Sequence, residues 1–241
     1  KEWDEEGSLT SETFFDKEAR PSSCYLYHKN GEVSCVVNYD IDGEIDGLFL
    51  RYYENGQIDA IIRLDDVGQT NGPYQHWYTN GQLACQIEYG AGLAHTDKCW
   101  DKEGHLDLET YYDERNQKRR ELSYYSNGQL AFESIWDAEG RRDGLSKHFN
   151  EQGQLIDGFL FRSDVLTESR KWSDSGRLIY EAEYGDDDRL KSSRKYSETS
   201  GNLLAKGREY NGHYLVEEWN EPGSRVGRDV FVSGNGPLLF K

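Results

Sequence analysis

Apolar and polar residues alternate along this chain with a period of two, and the alternation restarts at regular intervals. One stripe reads Val33, Cys35, Val37, Tyr39; the next reads Ile58, Ala60, Ile62, Leu64. Others read Leu83, Cys85, Ile87, Tyr89, then Leu106, Leu108, Thr110, Tyr112, and later Leu178, Tyr180, Ala182, Tyr184. Successive side chains on a strand face opposite ways, so each stripe predicts a half-buried strand and no helix. Each stripe follows an aromatic, two to four polar residues, a Gly and one spacer. Clear copies are Tyr53-Glu54-Asn55-Gly56-Gln57-Ile58, Tyr78-Thr79-Asn80-Gly81-Gln82-Leu83 and Tyr125-Ser126-Asn127-Gly128-Gln129-Leu130. Looser copies place Gly at 7, 31, 104, 153, 176, 201 and 223, giving Gly-to-Gly steps of 24, 25, 25, 23, 24, 25, 23, 25 and 22 residues. Such a period marks a repeat array, and repeat arrays usually bind.

The Asn-Gly pairs predict two-residue type I′ turns, with Tyr53 opposite Ile58 and on the face of the stripe, joined by Phe49. Copies with the aromatic four residues before Gly, such as Trp100-Asp101-Lys102-Glu103-Gly104, predict a longer loop with Gly in the left-handed region. A second turn is expected at Asp42-Gly43, Asp46-Gly47, Asn71-Gly72, Asp143-Gly144 and Asp157-Gly158. The expectation is therefore an all-β fold: an elongated antiparallel β-meander solenoid of about ten hairpin repeats with a period near 24. It forms one array over residues 1–241, with terminal repeats about 1–22 and 207–241 as caps.

The Tyr-x-Asn-Gly-Gln-Leu core, followed by Gly47-Leu-Phe-Leu-Arg-Tyr52, Gly72-Pro-Tyr-Gln-His-Trp77 and Gly144-Leu-Ser-Lys-His-Phe149, resembles the membrane occupation and recognition nexus (MORN) repeat, and more closely its bacterial variant. The resemblance runs over nearly the whole chain and weakens from Gly176 onward. It implies a binding scaffold, with antitoxin-like or immunity proteins against secreted toxins among the roles. Eukaryotic relatives are linked to membranes and phosphoinositides.

Composition narrows this. The net charge is −17, and residues 1–60 carry 14 acids against 5 bases, a net of −9. Such a chain repels nucleic acid and anionic lipid, so a basic protein is the natural partner, possible toxins or effectors included. The bland alternative is that the acids keep an exposed sheet soluble. Mean hydropathy is −0.91, which suits repeats that bury themselves only against their neighbours. No run of about 18 apolar residues exists, so no membrane insertion is expected. The chain has no Met and has four Cys, which favours a periplasmic or cell-envelope location over the cytoplasm. Oligomeric state is open, because terminal strands are exposed edges.

No catalytic, cofactor or metal set is expected. Histidines 28, 76, 95, 105, 148 and 213 show no zinc spacing, and no nucleophile elbow or phosphate loop is present. Asp186-Asp187-Asp188 reads as a solvated turn. Buried free thiols are expected; the candidate disulfide is Cys24–Cys35, on one face of a hairpin but diagonal. Cys85 and Cys99 flank Gly90-Ala91-Gly92, and the assumed turn puts them on opposite faces. Tyr52, Trp77 and Tyr124 should point away from the stripe and form a partner-binding strip, with Asp40, Asp42, Glu44 and Asp46 as acidic contacts. The leading function is a non-catalytic scaffold of immunity type that covers a cognate toxin. The alternatives are a cell-envelope or membrane-associated scaffold and, behind it, an enzyme acting on an extended polymer.

Overall fold

The computed structural model describes residues 1–45, 47–221 and 223–232, with residues 228–232 described as backbone. It divides into two compact units, Lys1–Lys118 and Arg119–Lys241. The first holds β1 (Glu2–Trp3), β2 (Leu9–Phe15), β3 (Pro21–Tyr27), β4 (Val33–Asn38), β5 (Gly47–Tyr52), β6 (Ile58–Leu64), β7 (Gly72–Trp77), β8 (Leu83–Gly90), β9 (Leu93–Trp100) and β10 (Leu106–Tyr112). The second holds β11 (Lys118–Tyr124), which opens at the junction, β12 (Leu130–Ile135), β13 (Gly144–Phe149), β14 (Leu155–Arg162), β15 (Val165–Trp172), β16 (Leu178–Tyr184), β17 (Leu190–Tyr196), β18 (Leu203–Tyr210), β19 (His213–Trp219) and β20 (Arg225–Val232). Within each unit every strand pairs antiparallel with the next in sequence. The fold is all-β, built of hairpin repeats, with no helix among the described residues.

The turns differ from the expectation. The Asn-Gly copies are not two-residue turns. Tyr53 N–H donates to the Gln57 carbonyl and Gly56 N–H to the Tyr53 carbonyl; the loops at Tyr78 and Tyr125 are closed in the same way. This is a three-residue loop, a type I turn completed by a Gly with positive φ (Gly56, 79°). The loops at Asp4, Asp101, Asn150 and Ser173 repeat the pattern, so the two expected turn subtypes are one. In six repeats the second turn is this loop again, at Asp16, Asp40, Asp65, Asp113, Asp137 and Gly185. Ala19, Asn116 and Asp188 hold the left-handed position at φ 61°, 59° and 59° where Gly is missing. Two-residue turns with both φ positive do occur, at Ala91-Gly92, Ser163-Asp164 and Asn211-Gly212. Of the second turns expected from sequence, Asp42-Gly43 holds. Gly47, Gly72 and Gly144 instead open strands, and Asp157-Gly158 lies inside β14.

A bulge follows the loops at Tyr53, Tyr78 and Tyr125. Tyr52 faces Ile58, but the next pair is Arg51 with Ala60, leaving Asp59 as the extra residue. Trp77 faces Leu83 and His76 faces Cys85, leaving Ala84. The three-residue loop and the bulge offset each other, so beyond the bulge the register is that of a two-residue hairpin: Arg51 faces Ala60 and Phe49 faces Ile62, as expected. Only the first stripe residue, Ile58, changes face, pairing with Tyr52.

In the second unit, one row across neighbouring strands reads Ser146, Phe159, Ser169, Ala182, Ser193, Gly207, Val216. Apart from Phe159 and Val216 these side chains are small or absent, and large rings lie over them. The Tyr214 hydroxyl is 2.7 Å from Ser193 Oγ, and the Tyr184 hydroxyl is 3.1 Å from Ser169 Oγ. Tyr214, Val216 and Ala205 form the buried cluster there, with Leu190 packed against it. Burial pushes the Tyr180 phenol up to about 12.

Candidate functional site

The repeat motif itself is used up in joining repeats. Tyr53 donates its hydroxyl to the Trp77 carbonyl (2.6 Å), Tyr78 to Trp100 (2.9 Å) and Tyr125 to Phe149 (2.7 Å), each 22 to 24 residues ahead. His28, at the same position, places Nε2 2.8 Å from the Tyr52 carbonyl. The loop Asn adds a second link: Asn30 to the Glu54 carbonyl (2.7 Å), Asn80 to Lys102 (2.9 Å) and Asn127 to Glu151 (2.8 Å). Where the first loop residue is Asp, as at Asp40 and Asp65, the carboxylate accepts from its own loop's N–H groups instead.

This relocates the residues singled out from sequence. Tyr52, Trp77 and Tyr124 are half-buried and stand opposite Ile58, Leu83 and Leu130 at the recurrent position before the loop. Tyr52 follows Arg51, which faces Ala60, so it lies on the face opposite Ala60 and Ile62 and shares its own face with Ile58. Asp40 is tied into its loop by hydrogen bonds of 2.9 Å from the Asp42 and Glu44 amides. Asp42 and Glu44 are exposed, and Asp46 lies outside the described residues.

Around those acids the structure shows something the sequence reading missed. Ile41 is 66% exposed and Val67 is 70% exposed, each at the tip of an acidic loop, and Ile45 is exposed beside them. The two loops, 40–44 and 65–69, join β4 to β5 and β6 to β7, so they project from the same end of the sheet. They stand two strands apart, on the order of 10 Å. The Tyr–Asn links occupy the other end. The signal was present in sequence as an aliphatic inside an otherwise polar loop, Asp40-Ile41-Asp42-Gly43 and Asp65-Asp66-Val67-Gly68.

Two further clusters lie on one face of the first unit. Asp59, at the bulge, accepts from Arg51 Nε and Nη2 at 2.8 and 2.6 Å, and its other oxygen is 3.1 Å from His76 Nε2. The Arg51 guanidinium is held more firmly protonated by its hydrogen bond to Asp59. Beside it, Cys85 and Cys99 stand directly opposite each other and form a disulfide, with Cα atoms 4.2 Å apart. Cys24 and Cys35, the candidate disulfide, are free thiols and stand diagonally as expected: Cys35 faces Leu26 and Cys24 faces Val37. The Ala91-Gly92 turn is followed by a register shift between Glu88 and Tyr89, and that single step brings Cys99 onto the face of Cys85. Asp97 lies on the same face, with its Oδ1 3.5 Å from Cys99 Sγ; burial pushes its carboxyl up.

The second unit carries a charged row instead. Glu133 is buried and accepts from Arg120 Nε (2.9 Å) and Lys147 Nζ (2.8 Å). Farther along, Glu181 pairs with Arg194 at 2.9 Å and receives the Tyr196 hydroxyl at 2.6 Å.

The family model of the MORN repeat variant matches residues 45–64 and 70–90. These are the β5–β6 hairpin and β7–β8 with the bridging residues before them, two adjacent repeats of the array. No curated protein matches the chain. Among solved structures it is similar to part of TarM, at 12% identity and a TM-score of 0.27, over 45% of this chain and 19% of that one. It is also similar to part of TcdB2-TccC3-Cdc42, at 11% identity and a TM-score of 0.21, over 96% of this chain and 15% of that one. A porin-like protein from Bacteroides uniformis aligns at 9% identity and a TM-score of 0.15, over 92% of this chain and 94% of that one. The chain thus spans less than a fifth of the first two. At these TM-scores the likenesses carry no argument about function.

Proposed function

We propose that this chain is a non-catalytic protein-binding repeat scaffold, and more specifically an immunity- or antitoxin-type protein that neutralises a basic toxin by stoichiometric binding. The observation that carries the reading is the pair of loops 40–44 and 65–69. Exposed aliphatic tips, Ile41 and Val67, stand among Asp42, Glu44 and Asp66 at one end of the sheet. An apolar contact ringed by like charge fits a partner with an apolar centre and a basic rim. The matched MORN repeats supply the scaffold, and their recurrent tyrosines and asparagines serve its assembly, so selectivity falls to residues that differ between repeats.

The test begins with affinity capture from lysate and envelope fractions of the source organism, followed by mass spectrometry. Binding of the captured protein is then measured with Ile41→Ser/Val67→Ser and with Asp42→Lys/Glu44→Lys. The first pair is expected to weaken binding by tenfold or more, about 1.4 kcal/mol. The charge reversal is expected to slow association and to weaken its salt dependence. Capture of no specific partner, or binding indifferent to both pairs, would overturn the reading.

A further inference from the structure

Cys85, Cys99 and Asp97 bring three potential ligand atoms within 4.8 Å of one another on one face of β8–β9, partly buried. No carboxylate is needed to form a disulfide. Two thiolates and a carboxylate, in contrast, are a donor set suited to a thiophilic divalent cation. His76 lies on β7 directly opposite Cys85 in the ladder. Its Nε2 is engaged by Asp59 at 3.1 Å, and Asp59 is fixed in turn by Arg51. A carboxylate on one ring nitrogen is the arrangement that orients an imidazole and leaves the other nitrogen as the donor. Cys85, Cys99 and Asp97 thus form an inner set of three, and His76, supported by Asp59, stands on the neighbouring strand outside that set.

We propose that the Cys85–Cys99 pair is a redox-controlled metal site: oxidised it is a disulfide, and reduced it binds one Zn2+ through both thiolates and Asp97, with His76 turning in from the neighbouring strand to complete a four-coordinate shell. The exchange balances. A dithiol reductant gives two electrons and two protons to the disulfide and becomes a disulfide itself; Zn2+ then displaces the two thiol protons to solvent. Zn–S bonds of about 2.3 Å at a tetrahedral angle set the sulfurs roughly 3.8 Å apart. Directly opposed strand residues have Cβ atoms about 4.5–5.5 Å apart, which side-chain rotation closes to that distance without moving the backbone. The site was invisible in sequence, because Cys85-x11-Asp97-x-Cys99 is no recognised ligand spacing and an ideal hairpin would place the two cysteines on opposite faces.

The full chain is reduced with a phosphine, desalted without oxygen and titrated with Co2+ and Cd2+ as probes and with Zn2+ in competition. One equivalent per chain is expected, with thiolate-to-metal charge-transfer bands and the visible bands of tetrahedral cobalt. The oxidised protein should show neither. Cys24→Ser/Cys35→Ser should bind as the parent does, and Cys85→Ser should lose the signal. Asp97→Asn should weaken zinc at least tenfold, and Asp59→Asn should weaken it about 10- to 100-fold through His76. Circular dichroism of the metal-free forms checks that the variants keep the sheet. Absence of a thiolate band in the reduced parent, its persistence in Cys85→Ser, or unchanged affinity in Asp97→Asn would each overturn the assignment.

Discussion

If the tyrosine of the repeat motif stitches each loop to the next, removing only its oxygen should loosen the array while leaving the ring in place. Tyr53→Phe/Tyr78→Phe is the cleanest perturbation. Both hydroxyls donate to carbonyls of the following repeat, at 2.6 and 2.9 Å, and both links lie within the first unit. A hydrogen bond of this kind contributes about 0.5–1.5 kcal/mol net, so the pair should cost roughly 2 kcal/mol. The links join different loops, and their effects should add to within about 0.5 kcal/mol. With a urea slope of about 2–3 kcal/mol per molar, the midpoint should fall by roughly 0.7–1 M. Tyr210→Phe, at a ring 56% exposed, serves as the control and should shift nothing. Hydrogen exchange locates the effect: in a repeat array stability is a sum of local and nearest-neighbour terms, so faster exchange should appear in β5 to β9 and not in the second unit. An unchanged midpoint together with unchanged exchange in the loops at 78–82 and 101–105 would refute the stitching argument.

Three other outcomes are expected. Gly207→Ala puts a methyl group into the ring of the buried Tyr214, so it should cost about 1–3 kcal/mol and expose Tyr214 to solvent, read by tyrosine fluorescence and thermal melting. Burial raises the Glu133 pKa, but hydrogen bonds from Lys147 and Arg120 outweigh it and hold the carboxyl below its ordinary 4.5. Its stabilisation is therefore present above that value and is lost as pH falls through the depressed one. Glu133→Gln should flatten the acid limb of stability against pH, and an unaltered limb would count against the Arg120–Glu133–Lys147 cluster. Reducing the Cys85–Cys99 bond, which spans 14 residues, should destabilise the first unit by about 3 kcal/mol in metal-free buffer, whereas alkylation of the unreduced denatured chain should label Cys24 and Cys35 alone.

The sequence by itself determined the fold class, the hairpin repeat and the period. Those properties are local: alternation of apolar residues specifies strands, and a Gly every 22 to 25 residues specifies loops that need a positive φ. It also pointed to an acidic first third, and the exposed tips Ile41 and Val67 were legible as aliphatics inside polar loops. What only the tertiary structure decided was register. Asn55-Gly56 is compatible with a two-residue or a three-residue loop, and the three-residue form is taken here as it is at loops that carry no tyrosine. At the motif hairpins the loop and the bulge offset each other, so Cys24 and Cys35 keep the diagonal placement expected of them. After the Ala91-Gly92 turn one register step stands alone, and because the side-chain period is two, it exchanges the faces and sets Cys85 against Cys99. The small-residue row under Tyr214 and Tyr184 was hidden for the same reason: its members are neighbours only across strands, where no local pattern records them.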